Sequence, residues 1–220
     1  MGYLECAVVV YLREIYYPSG FAFPLHLASG RIAITEILRE VATILMLLSV
    51  GFIAGSNLRQ RFAVFIFCFA VWDIFYYVFL KILIQWPESF FTWDILFLIP
   101  LAWTGPVIAP LIVSVTMIIL ACILLFYERK EPIQHKNWLH PLLLVAGAML
   151  VFMSFVWDFS RYMLDQYPAT DLFRADTINV AMRQYIPQSF NWWLFFLGEL
   201  VILATLYLIY TRSVKSSEKV

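Results

Sequence analysis

The sequence predicts an all-α protein: a polytopic transmembrane helix bundle of five spans, with a short N-terminal hydrophobic helix that makes a sixth span if it crosses. Three observations carry this reading. The chain is 63% hydrophobic and only 14% charged, where soluble domains run near about half apolar and about a quarter charged. Its mean hydropathy is +0.82. Its apolar residues gather in runs of about the 20 residues needed to cross a ~30 Å hydrocarbon core. The 220 residues hold five or six such runs and leave no useful length for a soluble part. The whole chain therefore reads as a single integral membrane domain.

The elements follow in order. Residues 1–17 form the short N-terminal helix, apolar but carrying Glu5, Arg13 and Glu14. It is short for a span, so a tilted crossing and an interfacial helix fit it equally. The segment lacks a basic start and a small-residue cleavage site, so no removable signal is expected. Gly2 raises myristoylation, but Cys6 stands where that motif has Ser or Thr. Residues 18–32 are rich in Gly and Pro and read as a loop. Spans are expected at 32–53, 62–85, 95–127, 138–164 and 190–210, with a basic tail at 211–220. Gly55-Ser56-Asn57 ends the first span. Pro100, Gly105-Pro106 and Pro110 interrupt the start of the third, which is expected to bend there. Pro141 suits the first turn of the fourth. Residues 165–189 read as a polar linker.

Orientation follows from the basic residues. Arg59, Arg61, Arg129, Lys130, Lys136, Arg212, Lys215 and Lys219 fall on one side of the predicted spans, and Arg31, Arg174 and Arg183 on the other. The first set is expected in the cytoplasm, which puts 86–97 and 165–189 outside and the C-terminus inside, in a bacterial-type inner (plasma) membrane. A short echo links Ala63–Phe67, Val71-Trp72-Asp73 and Tyr77 to Ala148–Phe152, Val156-Trp157-Asp158 and Tyr162. Two parallel repeats would produce it, and so would coincidence among aromatic-rich helices.

The candidate functional residues are charges in apolar runs, where an ionisable group is costly and points to a role. Asp73 comes first. It lies roughly 18 Å along the helix from Arg61, and Tyr76, Tyr77 and Lys81 share its face. It could bind a proton or cation, or serve as a structural hydrogen-bonding group facing Arg39. Trp72 beside it needs an acceptor for its indole N–H. Glu36, Arg39 and Glu40 share a face of the first span, either as a self-neutralising group or as a site in which Arg39 binds an anion or orients Asp73. Asp158, Arg161 and Asp165 make an outer ladder on the fourth span, with Trp157 adjacent. Glu199 in the last span has no cation near it on its own helix.

Glu88 and Asp94, with Asp158 and Asp165, would form an acidic outer rim. Carboxylates suit a hard divalent cation, but the spacing matches no metal motif, so no metal is assigned and Glu88, Asp94 and Asp165 are only its nearest candidates. His26 falls outside while His135 and His140 fall at the inner boundary, which argues against bis-His ligation. Cys6, Cys68 and Cys122 all lie in apolar segments and read as buried thiols rather than a disulfide framework. No nucleophile elbow, Gly-rich phosphate loop or Cys pair is present, and no cofactor is indicated.

Three functional classes fit. The first is an accessory or assembly subunit of a larger membrane complex. The second is a membrane-embedded enzyme acting on a lipid or isoprenoid through the outer carboxylates. The third is a proton-coupled transporter using Asp73 and Glu199. The expected partners are membrane lipids and other membrane subunits or a second copy of the chain. A zero net charge suggests no nucleic acid.

Overall fold

Among the described residues, five helices are long and apolar enough to cross a bilayer: Ile34–Ala54, Leu58–Ile84, Ile108–Leu125, Leu139–Gln166 and Trp192–Thr211. The protein is an integral, multi-pass membrane protein. Its structure, a computed structural model, describes residues 1–18, 20–24, 30–97, 101–126, 138–172 and 174–217. His26, Arg129, Lys130, His135, Lys136 and Lys219 lie outside the described residues. The described helices are α1 (Gly2–Tyr16), α2 (Gly30–Ala54), α3 (Leu58–Ile84), α4 (Ile108–Phe126), α5 (Leu139–Gln166), α6 (Ala175–Met182) and α7 (Trp192–Ser217), with strands β1 (Trp93–Phe97) and β2 (Trp103–Pro106) between α3 and α4. The chain divides into two compact units, and α2, α3, α4 and α5 each contribute to both.

The first unit contains residues 1–44, 72–110 and 155–191. At 15 residues, α1 is about 22 Å long, short of the ~30 Å core. It packs on α3 instead. Gly2, Cys6 and Arg13 are its buried residues, and their spacing places them along one face. Gly2 allows the close approach, since a Cβ there would lie 3.1 Å from the Phe75 Cβ and 3.2 Å from the Trp72 carbonyl. The C-terminus of α3 is closed by Lys81, whose Nζ donates to the carbonyls of Gln85 at 3.2 Å and Pro87 at 2.9 Å. Gln85 takes the left-handed conformation, φ 57°, that ends many helices.

The expected helix over 95–127 is corrected here. The helix starts only at Ile108, and residues 93–97 and 103–106 pair instead as two antiparallel strands, with Trp93 opposite Pro106, Asp94 opposite Gly105, Ile95 opposite Thr104 and Phe97 opposite Trp103. Proline and glycine weaken a helix here, while aromatic and β-branched residues such as Trp93, Ile95, Phe97 and Thr104 suit a pleated ladder. The pairing extends past the strands, where Val107 and Ile108 donate their N–H groups to Thr92 and Phe90. Protein covers this backbone: Ala102, Thr104 and Val107 are almost fully buried. Gly105 fits beneath two rings; a Cβ would meet Phe155 and Phe190 at 3.0 Å. The linker 165–189 also contains more structure than expected. Ile178, Ala181 and Met182 fall on one side of α6, and the last two join Ala102, Phe159, Met163 and Tyr185 in this unit's core.

The second unit contains residues 45–71, 111–154 and 192–220. Its core gathers Ile66, Leu120, Ala121 and Leu206. The α2–α3 turn is capped locally: Asn57 Oδ1 accepts from the Gln60 N–H at 3.0 Å, and Gln60 Oε1 reaches back to the Ser56 N–H at 2.9 Å, a variant of the capping box. Helices α5 and α7 cross at two glycines. A Cβ on Gly147 would lie 2.6 Å from Ile202 Cγ1 and 2.9 Å from the Gly198 carbonyl, and one on Gly198 would lie 2.8 Å from the Gly147 carbonyl. Small residues at such a crossing let two membrane helices make backbone contact.

Candidate functional site

The charged residues of the first unit form three internal clasps. In the first, Arg13 of α1 meets Asp94 of β1. Arg13 NH2 lies 3.4 Å from Asp94 Oδ1, and Tyr77 donates its hydroxyl to Asp94 Oδ2 at 3.1 Å. The Arg13 guanidinium also lies 3.7 Å from the centre of the Trp86 ring and 4.6 Å from that of Phe21, a cation–π arrangement in a site removed from water. Asp94 is 2% exposed. Burial pushes its carboxyl above the ordinary range, against the opposing pull of the Arg13 guanidinium, the Ile95 N–H and the Tyr77 hydroxyl.

The second clasp joins α1 to α2. Arg39 Nε donates to Glu36 Oε2 at 2.7 Å, and Arg39 also pairs with Glu5. Thr43 donates to the other Glu5 oxygen at 3.5 Å. Glu40 is buried and its charge acts on Arg39.

The third clasp holds the segment after α6. Asp158 accepts from the Tyr185 hydroxyl at 2.7 Å and from the backbone N–H groups of Gln188 at 2.9 Å and Ser189 at 3.2 Å. The Tyr185 oxygen is also 3.0 Å from Thr104 Oγ1 on β2. Burial first, and then Asp158, push the Tyr185 hydroxyl above its ordinary range. A carboxylate that accepts several donors at once is well suited to fixing a loop.

The other predicted residues fall around these clasps. Asp73 is half-buried on α3, and its charge acts on Tyr77. The Trp72 ring sits 6.4 Å from that of Phe97. Lys81 serves as the helix cap described above. Arg161 and Asp165 form an exposed pair at 3.9 Å. Trp157 and Glu88 are exposed. The expected ladder of Asp158, Arg161 and Asp165 thus separates into a loop anchor and a surface pair. Among the described residues no three His, Cys, Asp or Glu side chains gather closely enough to hold a metal ion.

In the second unit, Glu199 is 4% exposed. Thr116 of α4 donates to its Oε2 at 2.7 Å.

Sequence reasoning missed Arg13 and Glu5 as site members. Both were visible as charges inside an apolar segment, a signal that each needs a partner. Their partners are 81 and 34 positions away, 13 to 94 and 5 to 39, beyond any helical spacing rule. No protein-family model, curated protein or solved structure matches this chain.

Proposed function

We propose that this protein is a non-enzymatic accessory or assembly subunit of a larger membrane complex, working through association in the bilayer. The observation that supports this reading is the internal use of its charges. Arg13, Arg39, Asp94 and Asp158 are each bonded to partners within the chain, so these groups act as tie points. An enzyme acting on a lipid or isoprenoid through outer-leaflet carboxylates would need such groups turned toward a substrate. The broad apolar helix faces, including Leu38, Leu45 and Ile53 on α2 and Trp193, Leu200 and Tyr207 on α7, are exposed and suit lipids and partner helices. The basic asymmetry supports a plasma membrane of bacterial type with the C-terminus in the cytoplasm.

Native electrophoresis of the protein extracted in mild detergent tests the reading. The expected result is an assembly of fixed stoichiometry that persists in Asp158→Asn, with that variant, if folded, still complementing a deletion strain. A lone chain carrying a bound lipid, together with loss of complementation in folded Asp158→Asn, overturns it in favour of the enzyme.

A further inference from the structure

Glu199 is a buried charge-bearing residue that the three clasps do not use. It lies on α7 seven residues after Trp192, about 10 Å along the helix, next to the Gly198 that abuts Gly147 and Val151 of α5. Its side chain is closed off from the surface at 4% exposure. One oxygen, Oε2, accepts from Thr116, while Oε1 is buried with no hydrogen-bond partner among the described residues.

Among the described residues of its unit, the surroundings offer nothing to balance a negative charge. Helix α4 carries no charged residue from Ile108 to Phe126. The part of α5 in this unit, 139–154, carries His140 alone, in its first turn. In this unit α3 has Arg59 and Arg61 at its start, and Arg61 donates to the Gly55 carbonyl. An ionised carboxylate taken out of water without a counter-charge is strongly unfavourable, and the group takes up a proton instead.

We propose that Glu199 is an intramembrane proton-binding site, held as the carboxylic acid in the closed bundle, with Thr116 as its positioning residue and Oε1 as the open position at which a proton, or water bringing one, exchanges. The proposal goes beyond the subunit reading and does not require it, because a proton site can serve a lone carrier or a member of a complex.

Dicyclohexylcarbodiimide, an apolar reagent that enters bilayers, provides one test. The acid O–H proton moves to a carbodiimide nitrogen as the carboxyl oxygen bonds to the central carbon. The acyl group then shifts to nitrogen, giving an N-acylurea with the whole reagent retained. The full-length protein in lipid nanodiscs should gain one reagent mass at Glu199, and Glu199→Gln should reduce this to background while keeping its thermal transition.

Infrared difference spectroscopy covers the case in which the reagent cannot reach the site. Wild type should show the carbonyl stretch of a protonated carboxyl at neutral pH, and Glu199→Gln should remove it. In Thr116→Val the band should move to higher wavenumber as its hydrogen bond is lost, a change that a purely structural role for Thr116 would not produce. Absence in the folded wild type of an acid band that Glu199→Gln removes overturns the proposal, whatever the labelling shows.

Discussion

Arg13 and Asp94, 81 positions apart in sequence, form a buried ion pair at 3.4 Å. It ties the N-terminal helix to the first of the two paired strands. Removing one partner of a buried pair leaves an uncompensated charge and typically costs about 3–5 kcal/mol. Asp94→Leu and Arg13→Met should each destabilise the protein by about that amount, read as a shift in thermal unfolding in detergent. The double substitution should recover most of the loss, because an apolar pair of similar volume carries no desolvation penalty. Additive losses in the double variant would show that the two residues act separately.

Asp94 also predicts a pH dependence. Its carboxyl lies above its ordinary value of 3.8 because it is buried. The folded protein then binds more protons than the unfolded chain in that window, so stability falls with rising pH there. This contribution is fully present below 3.8 and is lost as pH rises through the raised value. Arg13→Met removes the opposing guanidinium and should extend the window upward. Unfolding measured across the acidic range in wild type and Arg13→Met checks the direction of both effects.

The α5–α7 crossing should tolerate no side chain at its centre. A Cβ on Gly147 would stand 2.9 Å from the Gly198 carbonyl, a backbone atom that cannot rotate away. Gly147→Ala and Gly198→Ala should each cost about 1–3 kcal/mol, the range of overpacked cores. A wild-type melting temperature in either would mean that the helices separate at this point.

Gln85 adopts φ 57°, a conformation that costs a residue with a Cβ about 1 kcal/mol. Gln85→Gly should therefore be neutral or stabilising by up to about 1 kcal/mol, after the extra freedom of the unfolded chain is counted. A clear loss of stability would show that the Gln85 side chain makes a contact worth more than the strain.

Topology can be read by labelling. Ser89 and Thr170 are exposed in the turn before β1 and the segment after α5. Cysteines placed there should react with a membrane-impermeant maleimide in intact cells, while a reporter fused after Val220 should be active only in the cytoplasm. The reverse pattern inverts the protein in its membrane.

Much of the architecture is determined by the sequence itself. An apolar run near 20 residues has few stable arrangements in hydrocarbon other than a helix, because every backbone group must find its partner within the segment. The spans could therefore be read without tertiary information, and so could the turn at Gly55-Ser56-Asn57, whose caps lie within three or four residues of each other. Charges in apolar runs also identified Asp158, Arg39 and Glu199 as residues in need of partners, whereas Asp94 was legible only as part of an acidic outer rim.

Which partners they took was decided by the tertiary structure. Arg13 meets Asp94, Glu5 meets Arg39, and Asp158 meets Tyr185 across sequence separations of 81, 34 and 27, where helical periodicity says nothing. The pairing of strands 93–97 and 103–106 depended on the same level of structure. The proline and glycine residues signalled a break in the third span, but strands form in its place only when surrounding protein covers them. That cover is supplied by Phe155, Phe159, Tyr185 and Phe190, residues 50 or more positions further along the chain.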